Sequence, residues 1–311
     1  MKRIFLFLVT NIAAVALLTF VTYLVCGFCG VDITRLAGEG GYGTLLVMSF
    51  AMGMLGSLIS LFMSKTMVKR SMKCKTITGD EGETERWLVD TVADLARRAN
   101  LKMPEVAIYP GAANAFATGA FKNSALVAVS TDIMTQMSRE ELRAVLGHEM
   151  SHVRNGDMVT LSLTQGVINT FVIFFAHIIA SVVQNTLSGR NGRNSESHGL
   201  RRGGTAGYAI YHLFVYLCQL VFGIFASIVV MWYSRRREFA ADAGSAELLG
   251  SPSPMISALR RLGSLTPGKL PDSMKAFGIS APKSLMSLFA SHPPLEDRIN
   301  ALMNLPPAYV V

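Results

Sequence analysis

Four apolar runs constrain this 311-residue chain more than any other feature: Ile4–Cys29, Gly43–Met63, Met158–Leu187 and Gly207–Tyr233. About 20 apolar residues in a helix match the hydrocarbon thickness of a bilayer. A chain with several such runs must gather its polar remainder at the membrane surfaces. Composition agrees, since half the residues are hydrophobic, 16% are charged and the mean hydropathy is +0.38. That balance belongs to membrane proteins. The first run follows Lys2 and Arg3 as a signal peptide would, but it is too long for a simple signal core and no A-x-A cleavage site follows. About four transmembrane helices are therefore expected. In the second run Ser49, Gly53 and Ser57 recur every four residues, a stripe that allows close helix approach in lipid. The first run is one partner for it; plain composition is the other account.

Charge sets the expected orientation. Lys65, Lys69, Arg70, Lys73 and Lys75 follow the second run, and only Asp32, Arg35 and Glu39 lie charged between the first two. The positive-inside rule puts the N-terminus and the basic segment in the cytoplasm. The net charge of +8 fits anionic lipid at that face. No module of interleaved basic and aromatic residues is present, so nucleic acid is not an expected partner. Cys26 and Cys29 form a C-x-x-C, but no second pair stands at ligand spacing; they read as small residues of a membrane helix. The third and fourth runs carry polar interruptions, among them His177 and His212, and the segment between them holds four Arg against one Glu. They read as spanning helices by length, with a hairpin buried inside the soluble domain as the alternative. His177 and His212, and His198 between the runs, are not expected to be ligands.

Between the hairpins, Thr84–Asn100 is amphipathic, with Leu88, Val92, Leu95 and Ala99 on one face. Three short β-type pieces follow, Val106–Tyr109, Ala115–Thr118 and Ala125–Val129, separated by turn residues. Ser138-Arg139-Glu140-Glu141 is a capping box that opens a helix, and Asn155-Gly156-Asp157 marks its end. Past Arg235–Arg237, residues 238–249, 252–262, 283–290 and 298–304 look helical. The expected division is 1–63, an N-terminal transmembrane hairpin; 64–157, the sheet and capped helix; 158–233, a second hairpin; and 234–311, the rest of the soluble domain.

The capped helix carries the chemistry: it contains His148-Glu149-Met150-Ser151-His152. Residues i and i+4 share a helix face, so both imidazoles can reach one metal ion, while Glu149 is offset toward a water beside it. A zinc hydrolase needs this layout together with a third protein ligand. Glu238 and Asp242 also stand at i and i+4, just after the fourth run. The Glu238 carboxylate can complete a His-His-Glu set, and Asp242 can accept the other ring N–H of a ligand His. A hairpin between the two motifs returns the chain to the side it left, so both ligand sets meet on one face of the membrane.

Those two motifs, with Ser291-His292-Pro293-Pro294, Arg298-Ile299 and the segment Asn114-Ala115-Phe116-Ala117-Thr118-Gly119, resemble the HtpX family of bacterial membrane zinc proteases, relatives of the CAAX prenyl proteases. The resemblance covers essentially the whole chain. It implies a mainly α membrane protein bearing a gluzincin-type α+β zinc protease domain with a small sheet, one Zn2+ per chain, and multi-pass anchoring in the inner membrane with the site toward the cytoplasm. It also implies His148, His152 and Glu238 as ligands and Glu149 as base. The implied partners are membrane-protein or unfolded polypeptide substrates, the bilayer, and membrane quality-control factors acting under stress. His292 then matches a His near the metal, stabilising an oxyanion or approaching zinc at rest; as a bare residue it is a helix-start His. Asn114, Ala115, Phe116 and Ala117 match a strand that pairs with substrate backbone, or form an ordinary short strand. Two rivals remain: a catalytically silent scaffold or chaperone with a structural zinc, and a protease confined to prenylated C-termini.

Overall fold

The computed structural model of the protein describes residues 41–191, 205–265 and 292–306. The first apolar run, the short loop after it, residues 192–204 and the segment 266–291, with its expected loop and helix, lie outside the described residues. In chain order the elements are α1 (Gly41–Ser71), β1 (Lys75–Ile77), α2 (Glu83–Arg98), β2 (Glu105–Tyr109), β3 (Ala115–Thr118), β4 (Leu126–Ser130), α3 (Thr131–Gln136), α4 (Arg139–Asn155), α5 (Asp157–Asn191), α6 (Thr205–Leu249), α7 (Ser253–Ser264) and α8 (Leu295–Met303).

Among the described residues, three helices are long and apolar enough to cross a membrane: Tyr42–Ser71, Asp157–Gln184 and Ala209–Leu249. Only 6% of the most apolar stretch of α6 is buried, and Leu213, Leu217, Leu220 and Phe225 point outward. A hairpin folded into a soluble core would bury that surface, so lipid is the solvent these side chains fit. The fourth run was expected to close at Arg235–Arg237 before a separate helix. Instead α6 continues unbroken to Leu249, because no Gly or Pro interrupts residues 224–243 and Arg is a good helix former.

The chain forms two compact units. In the first, built from the described residues of Met1–Leu58 and Leu163–Val229, the small-residue stripe of α1 meets α5. A Cβ on Gly53 would lie 2.7 Å from the Thr170 backbone nitrogen and 2.8 Å from the Gly166 carbonyl oxygen, so only glycine permits this approach. Ser49 and Ser57 on the same stripe are buried. Phe174 and Ile178 form the core beside them.

The second unit comprises Ile59–Ser162 and Val230–Val311. Its sheet has the order β1-β2-β4-β3. β2 runs parallel to β4, while β1 and β3 are antiparallel to their neighbours. β4 is buried at every position, and β3 is an edge. β1 is a strand that the sequence concealed: it has three residues, and only Ile77 is buried. Leu88, Val92 and Leu95 of α2, Val127 and Val129 of β4, Leu146 and Met150 of α4, and Leu259 of α7 share one core. α4 starts at the predicted capping box: the Glu141 N–H donates to Ser138 Oγ at 3.2 Å and the Ser138 N–H donates to Glu141 Oε2 at 2.9 Å. It ends at Gly156, whose φ of 67° is left-handed, a conformation glycine adopts without strain.

Candidate metal centre

α4 presents His148 and His152 one turn apart, with their Nε2 atoms 3.1 Å from each other. Glu238 on α6 brings Oε1 to 3.4 Å from His152 Nε2 and Oε2 to 3.6 Å from His148 Nε2. All three residues are buried. α6 reaches α4 through two tight contacts. A Cβ on Gly147 would lie 2.8 Å from Ser245 Oγ, and one on Gly244 would lie 2.6 Å from Ser151 Oγ. Ser245 Oγ also donates to the Ala144 carbonyl at 2.7 Å.

The remote ring nitrogens decide what these side chains offer. His148 Nδ1 is 2.8 Å from Asp242 Oδ1, and His152 Nδ1 is 2.7 Å from Asp157 Oδ2. A carboxylate accepts and never donates, so each Nδ1 carries the proton and each Nε2 turns a lone pair inward. Two lone pairs and a carboxylate then converge in a buried space, which costs free energy unless a cation joins them. The spacing fits a metal. Bonds of about 2.0–2.1 Å from a tetrahedral zinc place neighbouring ligand atoms about 3.3 Å apart, close to the three separations above. The two acids are anchored in turn. Arg298 Nε and Nη2 donate to Asp242 at 2.8 and 2.6 Å, and Arg237 donates to Asp157. Burial alone would depress the Arg298 pKa, but Asp242, with Glu238 and Glu149, more than offsets it and the guanidinium is held above its usual value.

Glu149 stays outside the ligand group. Its Oε2 accepts the Ala117 backbone N–H at 2.7 Å, which ties α4 to the edge strand β3. Burial pushes its carboxyl above the ordinary range, against the opposing pull of His148 and His152. Ala115, Phe116 and Ala117 lie in β3, with Phe116 packed on Tyr109 at a ring-centroid distance of 5.4 Å. Asn114 precedes the strand, and its carbonyl accepts from the Ser130 N–H at 2.9 Å. His292 is 64% exposed, and its Nδ1 lies 2.7 Å from Glu238 Oε2. It therefore touches the carboxylate of the group and stands outside the set of three. His177 Nδ1 lies 2.9 Å from the Ile173 carbonyl oxygen of its own helix.

Sequence reasoning missed the roles of Asp157, Arg237 and Arg298. Asp157 looked like a helix stop. The available signal was a carboxylate directly after the glycine cap, five residues from His152, where the left-handed turn folds it back onto the imidazole. Asp157→Asn removes the charge that fixes this tautomer. Metal affinity should fall about 10–100-fold, read by competition with a calibrated chelator; unchanged affinity would leave Asp157 as a helix-start residue only.

Comparison with known proteins agrees with this geometry. Residues 83–305 match peptidase family M48. Proteins described as "Protease HtpX homolog" from Herminiimonas arsenicoxydans and Janthinobacterium sp. are 50% and 49% identical over 307 residues, covering 98% of this chain and all of theirs. Ste24p of S. mikatae is 18% identical with a TM-score of 0.47, over 95% of this chain and 66% of that one. The chain belongs to peptidase family M48 and is a membrane metalloprotease of the HtpX type.

Proposed function

We propose that the chain is a zinc endopeptidase of the bacterial inner membrane. Its site faces the cytoplasm and cleaves damaged or misfolded membrane proteins, as part of stress response and protein quality control. One observation carries the reading: two imidazole Nε2 atoms and one carboxylate converge beside a further carboxylate, Glu149, that is not among them.

His148, His152 and Glu238 would hold the ion, a donor set that suits zinc. Once held, zinc supplies Lewis-acid chemistry, acidifying water and polarising a carbonyl. The chain's own residues do the rest. Glu149 takes a proton from the attacking water and passes it to the departing amine. The edge of β3, unpaired among the described residues, can hold an extended peptide by main-chain hydrogen bonds, without reading its sequence. His292, exposed beside Glu238, would meet a developing oxyanion.

Features of α6 and α1 support this depth and orientation. Trp232 is half-exposed, with the Arg236 guanidinium 4.2 Å from its ring centroid, a pairing suited to the headgroup layer. Glu238 follows six residues later, about 9 Å along the helix axis. The site would thus meet polypeptide close to the bilayer surface. The basic end of α1 supports a cytoplasmic face. Among the described residues three donors converge, which would leave a coordination position open and favours a catalytic site over a structural one.

The test sets an unfolded membrane protein, casein and a farnesylated peptide side by side, with zinc-loaded protein in detergent. Cleavage of the first two, lost with chelator, is the expected result. Cleavage of the farnesylated peptide alone would turn the reading to a prenyl-protein protease. A folded, metal-loaded chain that cleaves none would be a scaffold.

A further inference from the structure

A shallow recess, open to solvent, lies beside His152, between the end of β3 and the start of α5. Thr118, Gly119, Phe121, Val153 and Val159 help to line it. The lining is mostly apolar, and apart from His152 and the end of β3 its residues take no part in the mechanism above. Gly119 forms part of its wall. Its φ of 137° turns the chain out of the strand, and a Cβ there would lie 2.9 Å from the Ser124 carbonyl oxygen. Phe121 stands exposed at the rim, its ring centroid 5.9 Å from that of Phe62 on α1. Thr118 Oγ1 donates to Ser64 Oγ of α1 at 3.2 Å, and Lys65 and Lys69 of α1 pair with Glu105 at 2.9 and 3.0 Å. The recess is therefore held in place from three sides, by β3, by the end of α1 and by the start of α5.

Its position relative to β3 names the occupant. A peptide added to the edge of β3 presents side chains to one face every second residue, about 7 Å apart. One of them must fall at the end of the strand, where the recess adjoins His152 and hence the reacting bond. We propose that the recess is a specificity subsite, which takes a large apolar side chain of the substrate residue bordering the scissile bond. Phe121, Val153 and Val159 set its size. Unfolded membrane segments are rich in such side chains, so the subsite would select where in them the chain cuts. This inference rests on the protease reading above.

The test has two arms, both with the full chain in detergent. In the Glu149→Gln protein, peptides from a mapped cleavage site carry a photoreactive leucine analogue at one position at a time. Crosslinks to Phe121, Val153 or Val159 should arise from a single position, next to the scissile bond. In the active protein, Val159→Phe should lower cleavage at sites with Leu or Phe at that position about tenfold or more relative to sites with Ala. Phe121→Ala should shift the preference toward larger residues. Crosslinks from no peptide position, or from a photoreactive acyl chain in their place, would overturn the subsite. So would an unchanged cleavage profile in both variants. Either result leaves the protease reading standing, whereas a wild-type chain that cleaves nothing overturns both.

Discussion

Glu149→Gln should abolish peptide cleavage and leave the metal in place. Glutamine matches glutamate in shape, and its amide oxygen can still accept the Ala117 N–H that Glu149 accepts at 2.7 Å. The packing of α4 against β3 should therefore survive. The ligand atoms of His148, His152 and Glu238 are untouched, and so are the Asp242 and Asp157 contacts that fix the ring tautomers. What disappears is the ability to take up a proton. General-base catalysis contributes about 10²–10⁴-fold, so turnover should drop by at least that range while metal content stays level. Full activity in this variant would mean that another group carries the proton.

Arg298→Met should have the largest effect on stability. The guanidinium is buried and spans Asp242, with Nη1 3.4 Å from Glu238 Oε2. Methionine fills part of the space and leaves the Asp242 carboxylate without its cation. Removing one partner of a buried ion pair costs about 3–5 kcal/mol, equivalent in a unit of this size to a fall in Tm on the order of 10 °C. Arg298→Lys keeps the charge but loses the two-point geometry, so it should lie between Met and wild type. The order should repeat in metal affinity, because Asp242 orients His148. Normal affinity in a destabilised Met variant would confine Arg298 to a structural role.

Much of this site was legible in the sequence because its logic is local. His148 and His152 lie one turn apart, and Ser138 and Glu141 fix where their helix begins. Glu238 was reachable through topology, since a hairpin returns the chain to its starting side. The rest depends on tertiary packing. Nothing local says that Arg298 closes on Asp242, because the two residues belong to α8 and α6. β1 escaped because three residues with one buried side chain show no alternation. The break expected at Arg235–Arg237 was a charge signal, whereas helix continuity depends on backbone preferences that those arginines satisfy. The stripe on α1 was open between packing on the first run and plain composition; among the described residues it packs on α5, a partner that spacing alone could not name.

The central claim is that His148, His152 and Glu238 hold one zinc ion that Glu149 does not touch. Elemental analysis of the purified full chain tests it most directly, on wild type, Glu149→Gln and Glu238→Ala prepared in parallel with added zinc. The account predicts one zinc per chain in the first two and loss of zinc in the third. Zinc retained at the wild-type level in Glu238→Ala, or lost in Glu149→Gln, would contradict it.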